Sequence, residues 1–268
     1  MFEMCIDGET KISFEICESR YKNIKSNVAI TNFYSANSKF TEFEYAVFDA
    51  ITSERIAENE YTTASIICRH LGACHFVTPA LQKAVIHSLD KLAAIRIEIN
   101  MDGTKKFYDS PIGNFEFHGY LLPSESLSMS INGQPATLIH FLRKGPVFAI
   151  AEMKDQIISC PSYLMQAPVR TTPRTIAINH FLLRRILEIK GSAETSKTNK
   201  RVKPLRHTIL FDSLYKACGL EDTSSIQKQH ARQIAEIVLK FFVEKNFINN
   251  FSFDVGKNGK IRSIFINF

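Results

Sequence analysis

A run of metal-ligating residue types, CRHLGACH at 68–75, is the first stretch whose chemistry needs a decision. It holds Cys68, His70, Cys74 and His75 within eight positions, and thiolate and imidazole are the groups that bind zinc. Structural zinc sites usually take pairs of ligands, spaced by about two to four residues, from separate segments. Here Cys68 and Cys74 are six positions apart, and Cys74 and His75 are adjacent. We therefore expect no metal, with cysteines packed as small hydrophobes and His70 near the end of a helix, where its charge complements the dipole.

Catalytic and nucleotide-binding motifs are missing from the sequence. The run GKNGKIRS at 256–263 lacks the spacing of a phosphate-binding loop and fits a hairpin turn better. No G-x-S-x-G, H-E-x-x-H or protein-kinase signature occurs. The acids Asp212, Glu236 and Asp254 are scattered, with no spacing typical of a metal-binding trio. We therefore expect a protein that is not an enzyme and needs no cofactor.

Positive charge is concentrated in the last third of the chain. The whole sequence has a net charge of +6, but residues 175–268 hold 16 Lys/Arg and 8 Asp/Glu, a net of +8. Residues 1–174 hold 17 Lys/Arg and 19 Asp/Glu, a net of −2. This asymmetry indicates an anionic partner for the last third. The alternative is a solvated basic surface without a partner.

The order of predicted elements is three helices and then a β-hairpin, and this order occurs twice. In the first copy, residues 42–55, 63–71 and 79–93 are predicted helices and IRIEINMDGTKKFYD is a hairpin. The third helix is predicted to turn Leu81, Val85, Leu89 and Leu92 toward the core. Thr41 and Glu44 form the capping pair of the first helix, Thr62 or Thr63 caps the second and Gly72 ends it. Thr78 caps the third helix, with Pro79 at its first position, and Asp102-Gly103 is the turn of the hairpin.

The second copy occupies the basic last third. A helix from 175 ends at Gly191, a polar linker follows, and a short helix capped by Thr208 ends at Gly219. A longer helix over 224–246 and a hairpin turning at Asn258-Gly259 complete it. The predicted inward residues are Ile178, Phe181, Leu182 and Ile186 on the helix from 175, and Ile234, Val238 and Phe241 or Phe242 on the longer one. Between the copies, residues 114–170 read mostly as β, with a turn at Asn132-Gly133, and GPVFAIAEM is either a strand or a short helix.

These elements predict an α+β fold with two winged helix-turn-helix domains, the first followed by an extended β-rich bridging segment. The expected boundaries are an N-terminal arm at 1–38, the first domain at 39–170 and the second, basic domain at 171–268. We expect no membrane segment, because no apolar run approaches the roughly 18 residues needed to span a bilayer. Without a signal peptide or a disulfide framework, the expected location is the reducing cytoplasm.

The predicted partner is double-stranded DNA, contacted mainly by the second domain. Cations of a linker suit phosphate contacts, and Gln or Arg on the last helix of such a module can bond base edges. The candidates in the linker are Lys197, Lys200, Arg201, Lys203 and Arg206. Those on the 224–246 helix are Lys228, Gln229, Arg232, Gln233 and Lys240, and those at the hairpin tip are Lys257, Lys260 and Arg262.

The first domain offers fewer cations for DNA. Its third helix places Gln82, Lys83, His87 and Lys91 outward, whereas Asp90 opposes phosphate. We expect this domain either to bind DNA weakly or to serve for homodimerisation.

Two long runs carry a resemblance to a known family. They are EYAVFDAI…ENEYTTASIICRHLG…TPALQKAVIHSLDKL and GYLLP…INGQ…GPVFAIAEMKDQI…APV…FLLRRILEIKGS…ILFDSLYKACG. Over about residues 39–268 the chain resembles plasmid-type replication initiators with two winged-helix domains, closest to a branch found on plasmids and conjugative elements of Gram-positive bacteria. The resemblance implies that one module contacts repeated origin sequences, that host replication proteins are recruited, and that no catalytic centre is present.

The sequence therefore predicts a sequence-specific duplex DNA-binding protein, a replication initiator of a plasmid or conjugative element. Two alternatives remain. The same fold serves transcriptional or partition regulators, and winged helices also serve as protein-interaction modules without DNA binding.

Overall fold

The computed structural model describes residues 2–5, 10–16, 40–74, 76–102, 114–131, 134–153, 158, 160–198, 204–256, 259 and 261–268. These residues form α-helices and small antiparallel sheets, in agreement with the predicted α+β class. The chain separates into two compact units. The first takes in residues 1–40, 47–69 and 75–157, and the second takes in residues 41–46, 70–74 and 158–268.

Most of the elements up to Met153 belong to the first unit. In chain order they are β1 (Phe2–Cys5), β2 (Thr10–Ile16), α1 (Glu42–Ile56), β3 (Tyr61–Thr63), α2 (Ala64–His70), α3 (Pro79–Ala94), β4 (Ile95–Asp102), β5 (Asn114–Tyr120), β6 (Ser124–Ile131), β7 (Gln134–Phe141) and α4 (Pro146–Met153). Residues 42–46 of α1 cluster with the second unit. The run GPVFAIAEM, which sequence left open between strand and helix, is helical.

Two antiparallel sheets build the first unit. One has the strand order β1-β2-β4-β5, and β2 pairs with β4 from Thr10 opposite Met101 to Ile16 opposite Ile95. Residues predicted as an N-terminal arm thus contribute two strands to this sheet. The other sheet has the order β3-β7-β6, in which Ile131 lies opposite Gln134. Both predicted turns of this region, 102–103 and 132–133, involve residues outside the described ranges.

Side-chain caps fix the starts of the helices in this part of the chain. The predicted capping box is confirmed, because the Thr41 N–H donates to Glu44 Oε2 at 2.8 Å and the Glu44 N–H donates to Thr41 Oγ1 at 3.4 Å. The hydroxyls of Thr63 and Thr78 each accept an N–H from three residues ahead, at 3.3 and 3.2 Å. Of the two candidates for the second helix, Thr63 is the cap and Thr62 is not.

The second unit carries the other helices and one sheet. Its elements are a short 3-10 helix (Ser162–Met165), α5 (Pro173–Thr198), β8 (Thr208–Leu210), α6 (Phe211–Ala217), α7 (Ser225–Glu244), β9 (Asn250–Val255) and β10 (Ile261–Asn267). The sheet has the order β8-β10-β9, all antiparallel. Its boundaries with the first unit differ from the predicted start at 171, because residues 41–46, 70–74 and 158–170 also cluster here.

Two predicted helix boundaries in this unit are wrong. Gly191 was expected to end its helix, but α5 continues through it to Thr198. A glycine inside a helix costs only about 1 kcal/mol, and the buried Ile189 beside it packs in the core. Thr208 was expected to cap α6, but it lies in β8, and Leu210 is the N-cap without a side-chain hydrogen bond.

One hydrophobic core holds the second unit together. It contains the predicted inward residues of α5 and α7 and side chains from the sheet: Ile178, Phe181, Leu182, Ile186, Phe211, Leu214, Ile234, Val238, Phe241, Phe242, Ile264 and Ile266. Because α5, α6, α7 and β10 all bury one face in it, the opposite face of α7 is left toward solvent. The inward residues predicted for α3, namely Leu81, Val85, Leu89 and Leu92, are likewise buried in the first unit.

The two copies of the repeat share element order and the pairing of their last two strands, but differ in the partner of the short strand. Helices α1, α2 and α3 with β3, β4 and β5 follow the same order as α5, α6 and α7 with β8, β9 and β10. Both short helices have seven residues and are followed by a glycine with positive φ, Gly72 at +96° and Gly219 at +65°. However, β3 pairs with β7, whereas β8 pairs with β10.

Candidate nucleic-acid interface

Helices α6 and α7 follow one another in the second unit and are joined by a short turn. The turn begins at Gly219, whose left-handed backbone lets the Leu220 N–H reach the Tyr215 carbonyl oxygen at 2.7 Å. Helix α7 then starts at its N-cap Ser224, whose hydroxyl accepts the Gln227 N–H at 3.3 Å. Local caps on both sides of the turn therefore set where α7 begins and which face it presents.

The outward face of α7 carries a row of five exposed side chains, which we call the outer stripe. It consists of Ile226, Gln229, His230, Gln233 and Ile237. These residues are three or four positions apart, so they share one side of the helix. Ile226 is 76% exposed and Ile237 is 39% exposed. The stripe combines amide, imidazole and aliphatic groups. The ion pair of Glu236 and Lys240 lies beside it, three positions beyond Gln233 and Ile237 respectively.

Two of the predicted DNA-binding cations of α7 contact the protein itself. Lys228 is half-buried, its ammonium contacts the Glu221 carbonyl oxygen, and it lies 5.6 Å from the centre of the Tyr215 ring. Arg232, also half-buried, hydrogen-bonds to the Tyr215 side chain. Burial raises the pKa of Tyr215 further above neutral pH, so its hydroxyl stays protonated and its oxygen can accept from Arg232. These cations help to hold α6 against α7, which the sequence did not reveal.

The remaining cations predicted in this unit fall into three groups. Lys240 is exposed and forms an ion pair with Glu236 at 2.7 Å, one helical turn away. Arg206 and Arg262 are exposed, and the Arg262 side chain lies against the backbone of Gly256 in the β9–β10 hairpin. Lys197 belongs to the last turn of α5 and not to a flexible linker. The candidates Lys200, Arg201, Lys203, Lys257 and Lys260 lie outside the described residues.

In the first unit, the four predicted DNA-contact residues of α3 differ in their exposure to solvent. Lys83 and His87 are exposed, as expected for an outward face. Gln82 is half-buried, and its amide nitrogen lies 3.4 Å from the Ser65 hydroxyl of α2.

The prediction that Lys91 points outward is wrong. Only 7% of Lys91 is exposed, and its ammonium lies 5.4 Å from the centre of the Phe40 ring. An aromatic face compensates a lysine charge that loses water, so the long side chain folds inward over Phe40.

Three members of the outer stripe, Ile226, His230 and Ile237, were missed from sequence. The candidates predicted on this helix are Lys, Arg and Gln side chains, and these three residues are of other types. Their position across the helix from the buried Ala235, Leu239 and Phe242 is the available signal, because residues on the far side of an amphipathic helix face solvent.

The cysteine and histidine run does not behave as one cluster. Cys68 is fully buried, and burial raises its pKa to about 11, so its sulfur is a thiol at neutral pH. Cys74 is exposed. His75 lies outside the described residues. Across the described part of the chain, no group of three or more His, Cys, Asp or Glu side chains is arranged to hold a metal ion.

A buried polar cluster in the second unit was also missed. Glu42, at the start of α1, is 1% exposed and accepts two hydrogen bonds from Arg184, at 2.9 and 2.8 Å. Its Oε1 also lies 2.8 Å from His180 Nδ1, and Arg184 bonds Glu188 as well. Burial alone would raise the pKa of Glu42, but the hydrogen bonds from His180 and Arg184 outweigh burial and lower it to about 2. Glu42 and His180 are buried and Arg184 is partly buried, so these contacts hold the first turn of α1 against α5.

None of the described helices is long and apolar enough to cross a membrane.

Comparisons with known proteins show distant structural similarity and no sequence relative. No protein-family model and no curated protein matches the chain. The structure is similar to the crystal structure of RctB domains 2-3 (RctB-155-483), with a TM-score of 0.46 and 10% identity over 99% of this chain and 90% of that chain. It is also similar to the crystal structure of selenomethionine derivatives of domain 2 and domain 3 of RctB, with a TM-score of 0.43 and 9% identity over the same shares.

Proposed function

We propose that residues 173–268 form a winged helix-turn-helix module that binds duplex DNA sequence-specifically. The order α5-β8-α6-α7-β9-β10, with β8 paired to β10, is the order of such a module. In it, α7 is the recognition helix that enters the major groove. The β9–β10 hairpin is the wing, and its Arg262 and the exposed Arg206 contact the phosphate backbone.

The observation that carries this proposal is the outer stripe of α7. Side chains that reach base edges must project from a helix face without being held by their own protein, and Gln229 and Gln233 are exposed on that face. The segment around them has a net charge of +8 over residues 175–268. An exposed polar stripe on a helix-turn-helix within a basic segment supports DNA contact over an ordinary solvated surface.

The first unit has the secondary role in this proposal. Its α3 presents Lys83 and His87, but the exposed Asp90 faces phosphate unfavourably, and Lys91 is buried. It binds DNA weakly or brings two copies of the chain together. Analytical ultracentrifugation of the protein with and without a bound duplex distinguishes these two roles by the number of chains in each complex.

The biological setting that we propose is initiation of replication on a plasmid or conjugative element, with origin repeats as the DNA and host replication proteins as partners. It rests on the sequence resemblance to plasmid-type initiators, including their Gram-positive branch. Regulation of transcription or partition uses the same contacts and remains the alternative. In either setting the protein acts by binding and carries no catalytic centre. Footprints on iterated repeats in the parent replicon would favour initiation.

A protein-interaction module is the second candidate, and one observation favours it. Two isoleucines on one helix face, Ile226 and Ile237, are exposed, and exposed apolar groups in a row also suit a protein partner.

The experiment is fluorescence anisotropy on labelled duplex DNA across a salt series. If about six phosphates are contacted, the affinity should fall roughly a thousandfold between about 50 and 200 mM salt. Arg206→Ala and Arg262→Ala should each reduce the salt slope by about 1. Lys245→Ala is the control, since Lys245 lies at the far end of α7 and pairs with Glu244. A flat, weak response would refute DNA binding and favour the protein-interaction module.

A further inference from the structure

We infer that the outer stripe of α7 reads A·T base pairs in the major groove. In this inference Gln229 and Gln233 hydrogen-bond adenines, and Ile226 and Ile237 contact thymine methyl groups. It rests on the DNA-binding function proposed above and adds the class of base pair that the same helix selects.

The two glutamines have the chemistry and the spacing that adenine requires. A carboxamide offers a donor and an acceptor side by side, which matches the N7 acceptor and N6 donor on the major-groove edge of adenine. Gln229 and Gln233 are four residues apart, so their side chains lie one helical turn apart on the same face. Both are exposed, so they can reach successive base pairs without breaking packing.

The isoleucines supply the complementary contact. On base edges in the major groove, the thymine 5-methyl group is the apolar feature that a side chain can cover. Ile226 stands at the N-terminal end of α7 and is 76% exposed, and the N-terminal residues of a recognition helix are those that reach the bases. Ile237, at 39%, lies further along the same face. The isoleucines at the two ends of the stripe therefore favour sites in which thymines flank the adenines bound by the two glutamines.

The nearby cations are placed where they cannot read guanine easily. Guanine is most often read by Arg or Lys bonding its O6 and N7. Lys228 and Arg232 contact Glu221 and Tyr215 of their own protein. Lys240 is paired with Glu236. His230, on the stripe, has one donor and one acceptor when neutral and can bond either kind of base pair, so it has no assigned base here.

The positive charge of the segment around α7 favours nucleic acid over an apolar protein as the partner of the outer stripe. The segment has a net charge of +8 over residues 175–268, and a duplex carries about one negative charge per 1.7 Å of its axis. Exposed Arg206 and Arg262 supply phosphate contacts outside the stripe, which leaves the uncharged stripe to face the bases.

The test begins with selection of preferred duplexes from a random library by the full chain. In the selected site, thymines are then replaced by uracil, which removes the methyl group, and adenines by 7-deazaadenine, which removes the N7 acceptor. Uracil at a contacted position should weaken binding by about three- to fivefold, the value of one buried methyl. 7-Deazaadenine should weaken binding by about tenfold, as loss of one base contact does.

The variants assign each loss to a residue. Ile226→Ala should lose the sensitivity to uracil at one thymine position and keep it at the position covered by Ile237. Gln229→Ala and Gln233→Ala should each lose the sensitivity to one 7-deazaadenine position. Gln227→Ala is the matched control, because Gln227 is exposed on the same helix but lies outside the stripe. It should keep both sensitivities.

Failure of the inference can be told apart from failure of the function. If the chain binds DNA with a steep salt slope but selects G·C pairs under α7, the A·T inference is overturned while DNA binding stands. The same holds if the stripe variants keep the sensitivities of the wild type. If no duplex is bound in a salt-dependent way, the proposed function fails and the inference fails with it.

Discussion

Replacing Glu42 with glutamine should destabilise the second unit strongly. Glu42 is 1% exposed and holds the buried His180 and the partly buried Arg184 through contacts of 2.8, 2.9 and 2.8 Å. A neutral amide keeps the shape but removes the charge that compensates Arg184. Removing one partner of a buried pair is costly because the other charge stays behind.

The magnitude follows from the acidity of Glu42. Folding lowers its pKa from 4.5 to about 2, and each unit of pKa is about 1.4 kcal/mol of interaction with the charged form. The ionised carboxylate therefore contributes on the order of 3 kcal/mol at neutral pH. For a unit of this size such a loss lowers the melting temperature by about 10 °C.

The pH dependence has a definite sign. The unfolded chain takes up the proton on Glu42 before the folded chain does, because the folded pKa is the lower one. The contribution of Glu42 is therefore complete above the unfolded pKa and is lost as the pH falls from about 4.5 to about 2. The Glu42→Gln variant lacks this contribution, so its stability should change less than that of the wild type across this window.

The assay is urea denaturation of the full chain by circular dichroism between pH 2 and pH 7, with hydrogen exchange of α5 peptides to locate the change. Glu188→Gln is the matched control, since Glu188 also bonds Arg184 but is 28% exposed. It should cost at most about 1 kcal/mol, as partly exposed pairs do. Equal, small losses for both variants, or parallel acid curves for Glu42→Gln and the wild type, would refute this account.

Two further predictions concern glycine and cysteine positions. Gly72→Ala should destabilise the protein more than Gly219→Ala, because a Cβ on Gly72 would lie 2.2 Å from the Met165 carbonyl oxygen, whereas nothing lies within 4 Å of a Cβ on Gly219. Both glycines have positive φ, so Gly219→Ala should still cost about 1 kcal/mol. Equal losses of the two variants in thermal melts would contradict the clash. Cys74 should be alkylated by iodoacetamide well before Cys68 in the native protein, because Cys74 is exposed and burial raises the Cys68 pKa to about 11. Mass spectrometry of the labelled peptides measures the two rates. Equal rates would show that Cys68 is accessible.

Local signals in the sequence were sufficient for most helix starts and inward faces. The capping box at Thr41 and Glu44, the caps at Thr63 and Thr78, and the positive-φ Gly72 are encoded within a few residues of each boundary. Such short-range interactions do not depend on the rest of the fold, so a single sequence predicts them well.

Signals that compete with tertiary packing were misleading. Gly191 resembles a helix end, but α5 continues because Ile189 and its neighbours are buried on the core side. Thr208 resembles a cap, but its backbone pairs with β10, since Thr208 lies opposite Phe265. Lys91 resembles a surface cation, but it folds over Phe40. In each case a contact distant in sequence outweighs the local preference.

The sequence by itself determined the α+β class, the repeated order of helices and strands, and the basic character of the last third. These depend on period, turn residues and composition, which are properties of short segments. Only the tertiary structure decided that β3 pairs with β7 while β8 pairs with β10, and that Glu42 meets Arg184 across 142 positions. It also decided that Lys228 and Arg232 contact Tyr215, whereas the outer stripe of α7 is exposed to solvent. Strand partners, buried ion pairs and the exposed side of a helix are set by which surfaces are removed from water together, and no short segment carries that information.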